Sequence, residues 1–388
     1  MKRLTLCAIL VALATSAIGQ NDYSETGQYK NYISTGMPIL LIAPDAISSG
    51  MGDVGVATTP DLFSGHWNNA KFAFIDGTMG AGLTYTPWLR NLNVGDMNLF
   101  YLSGYYRINS RSTAAAGLTY FTLGDIDHTD ADGNKLTVIH PNEFAFDITY
   151  ALKLTDNLAL GASGRFIRSD LTNGATIEDG SGHTETHGAN SLAADIGLYY
   201  ENTIDKEQSF ALGAFISNLG AKLSYSDDDN DKEFLPANLR IGGRYTNRID
   251  DYNKVSLMLD INKLLVPTPP LRGDTTGAWV TYNNMGVMQG ALSSFADAPG
   301  GFSEELQELQ LSGGVEYWYA ETFVARAGYF FEHANKGGRQ YATIGFGLRY
   351  NIFHFDFSYL IPTTKISTSP LANTIRIGMT MEMKPETK

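Results

Sequence analysis

The sequence predicts an all-β protein, specifically a transmembrane antiparallel β-barrel of about 14 strands with an N-terminal plug in its lumen. The main observation is a recurring segment of about ten residues in which side chains alternate between two faces. In one such segment, Phe144, Phe146 and Ile148 fall on one face, whereas Glu143 and Asp147 fall on the other. The second observation is that tight turns and long polar loops join these segments in alternation. The third is an abundance of glycine (40), tyrosine (21) and phenylalanine (20), which is typical of sheets with aromatic girdles.

The same alternation recurs at residues 254–264 and 353–361, where Asp260 and Asp356 lie opposite the apolar row. An apolar row that faces lipid and a polar row that faces a closed lumen would produce this pattern. A secreted sandwich or propeller, which buries its apolar faces against each other, is the alternative. The strand length, the aromatic content and the regular alternation of short and long connections favour the membrane barrel.

The predicted strands cover residues 78–86, 96–107, 111–123, 142–153, 157–168, 189–201, 207–219, 236–247, 253–264, 309–319, 321–332, 339–350, 352–362 and 371–383. Their connections alternate between tight turns, as at 108–110 and 154–156, and long loops, as at 124–141, 169–188 and 265–308. Short turns belong on the periplasmic side of such barrels and long loops outside the cell. An even strand number therefore places both barrel ends in the periplasm, where an exported N-terminal segment would arrive.

The first residues have the pattern of an export signal. Lys2 and Arg3 precede an apolar run over residues 4–18, and the small residue Gly19 ends it. The run is short for a membrane anchor, which is the alternative interpretation. The only cysteine, Cys7, lies in this run, so we expect a mature chain without thiols or disulfides.

Two regions depart from the strand pattern. Residues 20–77 lack sustained alternation and are rich in Gly, Pro and Asp, so we expect them to fold into the lumen as a plug. The extracellular loop at 265–308 opens with a proline-rich stretch and closes with a short helix that Ser303 would cap. With a signal peptide at 1–19, this leaves a barrel domain at 78–388. A loop of this length in a compact barrel is usually functional.

Charge and composition argue against several function classes. The net charge is −13 and the acids concentrate in loops, so nucleic acid is not an expected partner. Acidic residues at 125–132 lack the spacing of a calcium loop. His183, Glu185 and His187 would share one face of an extended segment, but they follow a glycine-containing loop tip and are better interpreted as solvated. We therefore expect no metal and no cofactor.

Two short motifs suggest chemistry that their context does not support. Residues 50–55, Gly-Met-Gly-Asp-Val-Gly, match the dinucleotide-binding fingerprint, but no strand–helix–strand pattern surrounds them. We interpret these glycines as points of backbone freedom in the plug. His354, Asp356 and Ser358 line one strand face without nucleophile geometry, and no G-x-S-x-G elbow occurs. The sequence therefore predicts no catalytic residues, and a protein that is not an enzyme.

Motifs in the plug resemble the N-terminal hatch of the long-chain fatty-acid transporter (FadL-like) superfamily. They are Ala-Pro-Asp at 43–45, the glycine-rich segment at 50–57 and His-Trp-Asn-Asn-Ala at 66–70. Asn69 stands where the superfamily usually has the proline of Asn-Pro-Ala. The hatch residues that this resemblance identifies are Gly50, Gly52, Gly55, Trp67 and Asn68.

Residues 260–270, 295–302 and 370–376 resemble the PorV (LptO) family, and the resemblance extends over essentially the whole mature chain. It implies a component of the type IX secretion system in the outer membrane of a Gram-negative bacterium. Such a protein would bind the C-terminal signal domain of cargo at the translocon barrel. It would then deliver the cargo to a surface attachment complex that contains a sortase-like protease. Lipid and lipopolysaccharide of the outer membrane would be further partners.

The long loop is the predicted partner-binding site of such a protein. Prolines stiffen it, and exposed aromatic side chains on a loop are plausible anchors for a partner. The predicted partner-binding residues are Pro267, Pro269, Pro270, Phe295, Asp297, Pro299, Gly300, Gly301 and Phe302. The alternative is that the loop only covers the barrel.

Two other functions stay open at this point. A channel for fatty acids or other hydrophobic molecules would need an apolar pocket beside residues 50–57 and a lateral opening in the wall. A lipopolysaccharide-modifying hydrolase, which the second name of the family suggests, would depend on His354 and Ser358.

Overall fold

The computed structural model describes residues 32–90, 96–129, 135–171, 176–179, 182–185, 187–226, 232–270, 276–364 and 371–383. The strands in chain order are β1 (Met79–Pro87), β2 (Asn98–Arg107), β3 (Ser112–Thr122), β4 (Ile126–Thr129), β5 (Lys135–Ile139), β6 (Asn142–Lys153), β7 (Leu158–Asp170), β8 (Thr176–Asp179), β9 (Gly182–Glu185), β10 (Ala189–Thr203), β11 (Gln208–Gly220), β12 (Asn238–Arg248), β13 (Asn253–Leu264), β14 (Gln310–Tyr319), β15 (Phe323–Phe331), β16 (Gln340–Tyr350), β17 (Phe353–Pro362) and β18 (Ile375–Met383). Fourteen of them form a closed antiparallel barrel, and β4–β5 and β8–β9 are separate two-stranded hairpins.

The barrel closes where its first strand pairs with its last, from Met79 opposite Met383 to Tyr85 opposite Ile377. A closed sheet has no free edge, which matters because each unsatisfied backbone group in hydrocarbon costs several kcal/mol. The fold class predicted from the alternation is therefore confirmed. The predicted strand bounds differ from the observed ones by a few residues, as for β18, which begins at Ile375.

The connections alternate between the two rims of the barrel. On one rim, which we term the short-turn rim, β2 to β3, β6 to β7 and the other successive pairs are joined by four residues or fewer. On the opposite, long-loop rim, the connections are eight residues or longer. The two small hairpins lie in long loops, and the sequence does not predict them because their short polar strands lack an apolar row.

The two faces of the wall are sorted as the alternation predicts. On β6 and β13, Ile148 and Leu259 face outward with 61% and 71% of their surface exposed, whereas Asp147 and Asp260 are buried in the lumen. Exposed aromatic side chains such as Tyr350 lie near the rim. A continuous apolar belt of this size faces lipid, so the protein is an outer-membrane barrel and not a soluble sandwich or propeller. No helix among the described residues is long and apolar enough to cross a bilayer.

The described part of the N-terminal region, residues 32–77, fills the lumen as a plug of short helical turns. They are Pro38–Leu41, Ala46–Ser49, Ser64–Trp67 and Asn69–Phe74. The Asp45 carboxylate caps the second turn by accepting the N–H groups of Ile47 and Ser48 at 3.0 and 2.8 Å. The predicted signal peptide at 1–19 lies outside the described residues, so it and the domain limits stay predictions.

Candidate functional site

Buried polar side chains of the wall fasten the plug to the barrel. The Asp260 carboxylate on β13 accepts the backbone N–H groups of Gly55 and Val56 at 2.7 and 2.9 Å. The Thr343 hydroxyl on β16 accepts the N–H of Gly52 at 2.8 Å. Hydrogen bonds to an ionised carboxylate are about twice as strong as neutral ones. Asp260 is therefore the main polar anchor of this part of the plug.

The hatch residues Trp67 and Asn68 are buried and join separate parts of the plug. Trp67 Nε1 donates a hydrogen bond to Asp45 Oδ2 at 2.6 Å. Asn68 Nδ2 donates to the carbonyls of Val56 in the plug and of Leu198 on β10, both at 3.0 Å. Asn68 therefore connects the plug to a wall strand on the opposite side from Thr343.

Charged side chains in the lumen pair with each other or with the plug. Arg326 on β15 binds Glu316 on the neighbouring β14 at 2.9 Å and Asp356 on β17, two strands away, at 2.6 Å. Arg240 Nη1 donates to the backbone carbonyl of His66 at 2.9 Å. Breaking one partner of a buried pair typically costs about 3–5 kcal/mol. The polar row of the strands therefore holds the wall and plug together.

Glycines of the wall allow the plug backbone to lie directly against the barrel. A Cβ at Gly314 or Gly328 would overlap the backbone of Met51, and a Cβ at Gly161 would overlap Ala70. Side chains at these positions would push the plug away from the wall. The high glycine content of the strands thus reflects close packing between wall and plug.

The glycine-rich segment at 50–55 serves plug geometry and has no nucleotide-binding context. Gly52 has a φ of 71°, and a Cβ there would lie 2.5 Å from the backbone nitrogen of Tyr329. Only glycine both adopts this positive φ readily and leaves room for the backbone of Tyr329. Gly55 packs against the ring of Trp67 at a distance that a side chain would prevent. The described residues around this segment contain no strand–helix–strand unit of the dinucleotide-binding kind.

Two small cavities lie between plug and wall, and charged side chains line part of each. One includes Asp147 and Arg165, and the other includes Asp53, Arg240 and Arg339. Neither is the apolar pocket beside residues 50–57 that a channel for hydrophobic molecules requires. Strand pairing around the described barrel is continuous, with one register irregularity in the β10–β11 pair. This pairing offers no lateral opening between strands.

The positions of His354 and Ser358 on β17 do not support the alternative that the protein is a hydrolase. Ser358 Oγ lies 2.7 Å from Ser49 Oγ in the plug. His354 is four residues away on the same strand, about 13 Å at the rise of a strand, which is too far for a base to contact its nucleophile. Among the described residues no cluster of three or more His, Cys, Asp or Glu side chains could hold a metal ion. The side chains of His183 and Glu185 are not among those that the structure describes.

The described residues of the loop between β13 and β14 fold into a compact cap, which we define as residues 265–270 and 276–308. Its helices are Ala278–Asn284, Val287–Ser293 and Phe302–Gln307. One side of the cap rests on the loop between β11 and β12. There Lys222 Nζ donates to the Asn283 carbonyl at 2.9 Å, and the rings of Phe234 and Tyr282 meet edge-on at 5.8 Å.

A buried ion cluster fastens the other side of the cap. Lys263 Nζ binds Glu305 at 3.1 Å and Glu308 at 2.7 Å, and Lys336 Nζ binds Glu308 at 2.9 Å. The Thr268 hydroxyl donates to Glu308 Oε1 at 2.7 Å. Burial alone would raise the pKa of Glu308, but the hydrogen bonds that it accepts outweigh burial and lower the pKa. The sequence analysis missed this cluster because its members are far apart in the chain.

The predicted partner-binding residues differ in how much surface they present. Pro267 is buried and packs against Gly290, so it shapes the cap instead of forming its surface. Phe295 and Phe302 are 51% and 78% exposed. Pro269, Pro270 and Asp297 are half-buried, and Pro299, Gly300 and Gly301 are exposed. The two aromatic residues are therefore the strongest of the predicted anchors, and their role in binding stays a prediction.

The cap has further exposed apolar side chains that the sequence did not identify, among them Met288, Leu292 and Leu306. Met288 and Leu292 share one helix face because they are four residues apart, and Leu306 follows Phe302 by the same spacing. We use the term apolar cap face for the set of side chains Met288, Leu292, Phe295, Phe302 and Leu306, which is defined by their exposure and by their position in the cap. Their helical spacing is the signal that could have found them. Groups of exposed apolar side chains often mark interaction sites.

The prediction that Ser303 caps the last helix of the cap is wrong. The helix Phe302–Gln307 begins after Gly301, which has a φ of 67° and provides no side-chain cap. Ser303 lies inside the first turn. Glu305 instead accepts the N–H of Ala298 at 2.8 Å, which holds the preceding turn against the helix.

Two solved structures, a toluene transporter and a monoaromatic hydrocarbon channel, have a fold similar to that of this chain. The crystal structure of the Ralstonia pickettii toluene transporter TbuX matches with a TM-score of 0.51 and 12% identity, over 87% of this chain and 98% of that chain. The deltaS2 mutant of the TodX monoaromatic hydrocarbon channel matches with a TM-score of 0.52 and 12% identity, over 88% and 99% of the two chains. At this identity the likeness shows the fold alone. Comparison with curated protein sequences gives no match.

A family model gives a more specific result. The model described as "Type IX secretion system protein PorV" matches residues 25–271. This range is more than half of the chain and includes the described plug, the strands β1 to β13 and the start of the cap. It agrees with the resemblance found in the sequence. The chain therefore belongs to the PorV family of the type IX secretion system.

Proposed function

We propose that this outer-membrane protein binds the C-terminal signal domain of cargo at the type IX translocon and carries the cargo to the surface attachment complex. The apolar cap face is the observation that carries the proposal. It lies on the long-loop rim, which faces the cell exterior in outer-membrane barrels. Family membership supports a role in secretion, and the cap offers a surface for that role.

The cap is suited to binding because it is held in place before a partner arrives. Lys263 and Glu308 fix one side, and Lys222 fixes the other. A surface that is already ordered loses less conformational entropy on association. Phenylalanine and methionine are also enriched in the buried centres of protein interfaces. Phe295, Phe302 and the neighbouring apolar side chains therefore match the chemistry of a protein-binding surface.

A channel for hydrophobic molecules is the less supported function. It would require the plug to move, yet Asp260 and Thr343 hold its backbone at two points on the wall. The cavities beside the plug contain charged side chains, which an apolar ligand would leave unsolvated.

The proposal can be tested by replacing Leu292, Phe302 and Leu306 together with serine. These side chains are exposed, so their loss should leave the barrel folded and heat-modifiable on gels. Cargo should then accumulate in the periplasm with its signal domain uncleaved, as measured by cell fractionation and immunoblotting. With purified proteins, binding of a cargo signal domain should weaken at least about tenfold, because truncating even one energetically dominant residue of an interface typically costs about 2 kcal/mol or more.

Ile204 and Ile249 provide the matched control. They are 56% and 59% exposed but lie in turns of the short-turn rim. Replacing both with serine should leave cargo display unchanged. Normal surface display by the cap variant, at wild-type protein levels, would contradict the proposed role of the apolar cap face.

A further inference from the structure

The two ends of the described plug lie at opposite rims of the barrel. At the C-terminal end, the N–H of Thr78 donates to the Met383 carbonyl at 2.8 Å, where β1 begins at the short-turn rim. At the N-terminal end, the N–H of Gly36 donates to the Phe234 carbonyl at 2.9 Å. Phe234 belongs to the loop between β11 and β12, which is part of the long-loop rim.

The packing of the plug also places its N-terminal end at the long-loop rim and its C-terminal end at the short-turn rim. Near its start, Met37, Ile39 and Leu40 belong to one buried cluster. The wall residues of that cluster lie beside the long loops and include Trp88, Leu99, Phe121, Ala145, Ile167 and Ala189. Near its end, Phe72 and Ile75 belong to a second cluster. The wall residues of the second cluster include Tyr105, Ala151 and Ala159, beside the short turns. The plug therefore spans the full height of the lumen.

The described residues before the buried part of the plug reach the surface at the long-loop rim. Tyr32 and Ser34 are exposed, whereas Gly36 and Met37 are buried. The sequence-based expectation was that an exported N-terminal segment arrives on the periplasmic side, where the barrel ends lie. Residues 32–36 instead lie at the rim opposite to both barrel ends.

We propose that residues 32–36 form part of the cell-surface face of this protein, beside the cap, after the chain has passed through the barrel lumen. The loop that holds Gly36 also holds the cap, because Lys222 and Phe234 contact Asn283 and Tyr282. A partner that binds the cap from outside the cell would therefore meet residues 32–36 on the same surface. The proposal rests on strand direction and contacts, and is independent of the identity of that partner.

Single-cysteine labelling tests this topology, because the chain contains one cysteine, Cys7. In a Cys7→Ser background, Ser34→Cys probes the N-terminal residues. Ser303→Cys in the cap is the control for the long-loop rim, and Asp156→Cys is the control for the short-turn rim. All three positions are exposed. Intact cells are treated with a maleimide-linked polymer that cannot cross the outer membrane, and labelling is measured as a gel shift before and after lysis.

We expect the cysteine at position 34 to react in intact cells to within about twofold of the cysteine at 303, while the cysteine at 156 reacts only after lysis. Labelling at 34 only after lysis would overturn the proposal. Protection of both 34 and 303 in intact cells would overturn it as well, because the long-loop rim would then not face outward. The assay measures the accessibility of three positions and not the binding of cargo, so failure of the proposed cargo-binding function would leave these results unchanged.

Discussion

Replacing Lys263 with methionine should loosen the cap while the barrel stays intact. The Lys263 ammonium is buried between Glu305 and Glu308, at 3.1 and 2.7 Å. Methionine keeps most of the length of the side chain but removes the charge. Loss of one partner from a buried ion pair costs about 3–5 kcal/mol. Because Lys336 still binds Glu308 at 2.9 Å, we expect the low end, about 3 kcal/mol, for opening of the cap.

Hydrogen exchange measured by mass spectrometry can resolve this change. A loss of about 3 kcal/mol in local stability should make cap amides exchange roughly 100-fold faster, since about 1.4 kcal/mol corresponds to a factor of ten. Amides in the middle of β13 and β14 should exchange at wild-type rates, because opening of the cap leaves their pairing intact.

Two variants make this experiment specific. Adding Glu305→Gln to Lys263→Met neutralises the carboxylate that loses its ion pair with Lys263, and should restore part of the lost protection. Lys222→Met removes one hydrogen bond to Asn283 and the contact of the ammonium with the Phe234 ring, and should accelerate exchange by only about tenfold. Cap exchange in Lys263→Met within about threefold of wild type would refute the idea that the ion cluster holds the cap.

The structure supports three further predictions. Gly161→Val should push the plug from the wall and lower the thermal unfolding temperature measured by circular dichroism, whereas Gly164→Val, with open space beside it, should have little effect. Asp260→Asn should weaken plug anchoring by about 2 kcal/mol, seen as faster hydrogen exchange in residues 50–57, because its bonds lose their charge. The pKa of Glu308 is lowered from 4.5, so its contribution should persist above about pH 4.5 and be lost progressively below it, as measured by protease sensitivity of the cap.

The barrel could be predicted from the sequence because lipid and lumen impose opposite chemistry on alternate side chains. Ile148 and Asp147 are neighbours in the chain, yet one is 61% exposed and the other is buried. The alternation therefore predicts where a strand lies, which side chains are on each of its faces and approximately where it ends. It also indicates the alternating connections, because the loops are polar and lack the apolar row.

The cap and the path of the plug were less predictable because they depend on contacts distant in sequence. Nothing near Lys263 indicates that its partners are Glu305 and Glu308. The proline-rich start of the loop predicts a stiff segment, but not that Pro267 is buried against Gly290. Likewise, composition shows that residues 20–77 differ from the strands without showing which rim they enter.

The route of the plug has a consequence for biogenesis. Residue 78 leads from the short-turn rim directly into β1, and β1 forms the final seam with β18. The plug cannot easily enter the lumen after β1 and β18 have paired, because the plug backbone packs closely against the wall glycines and leaves little clearance. The insertion machinery would then have to enclose residues 32–77 before it joins the first and last strands, which makes the order of assembly part of the design of this barrel.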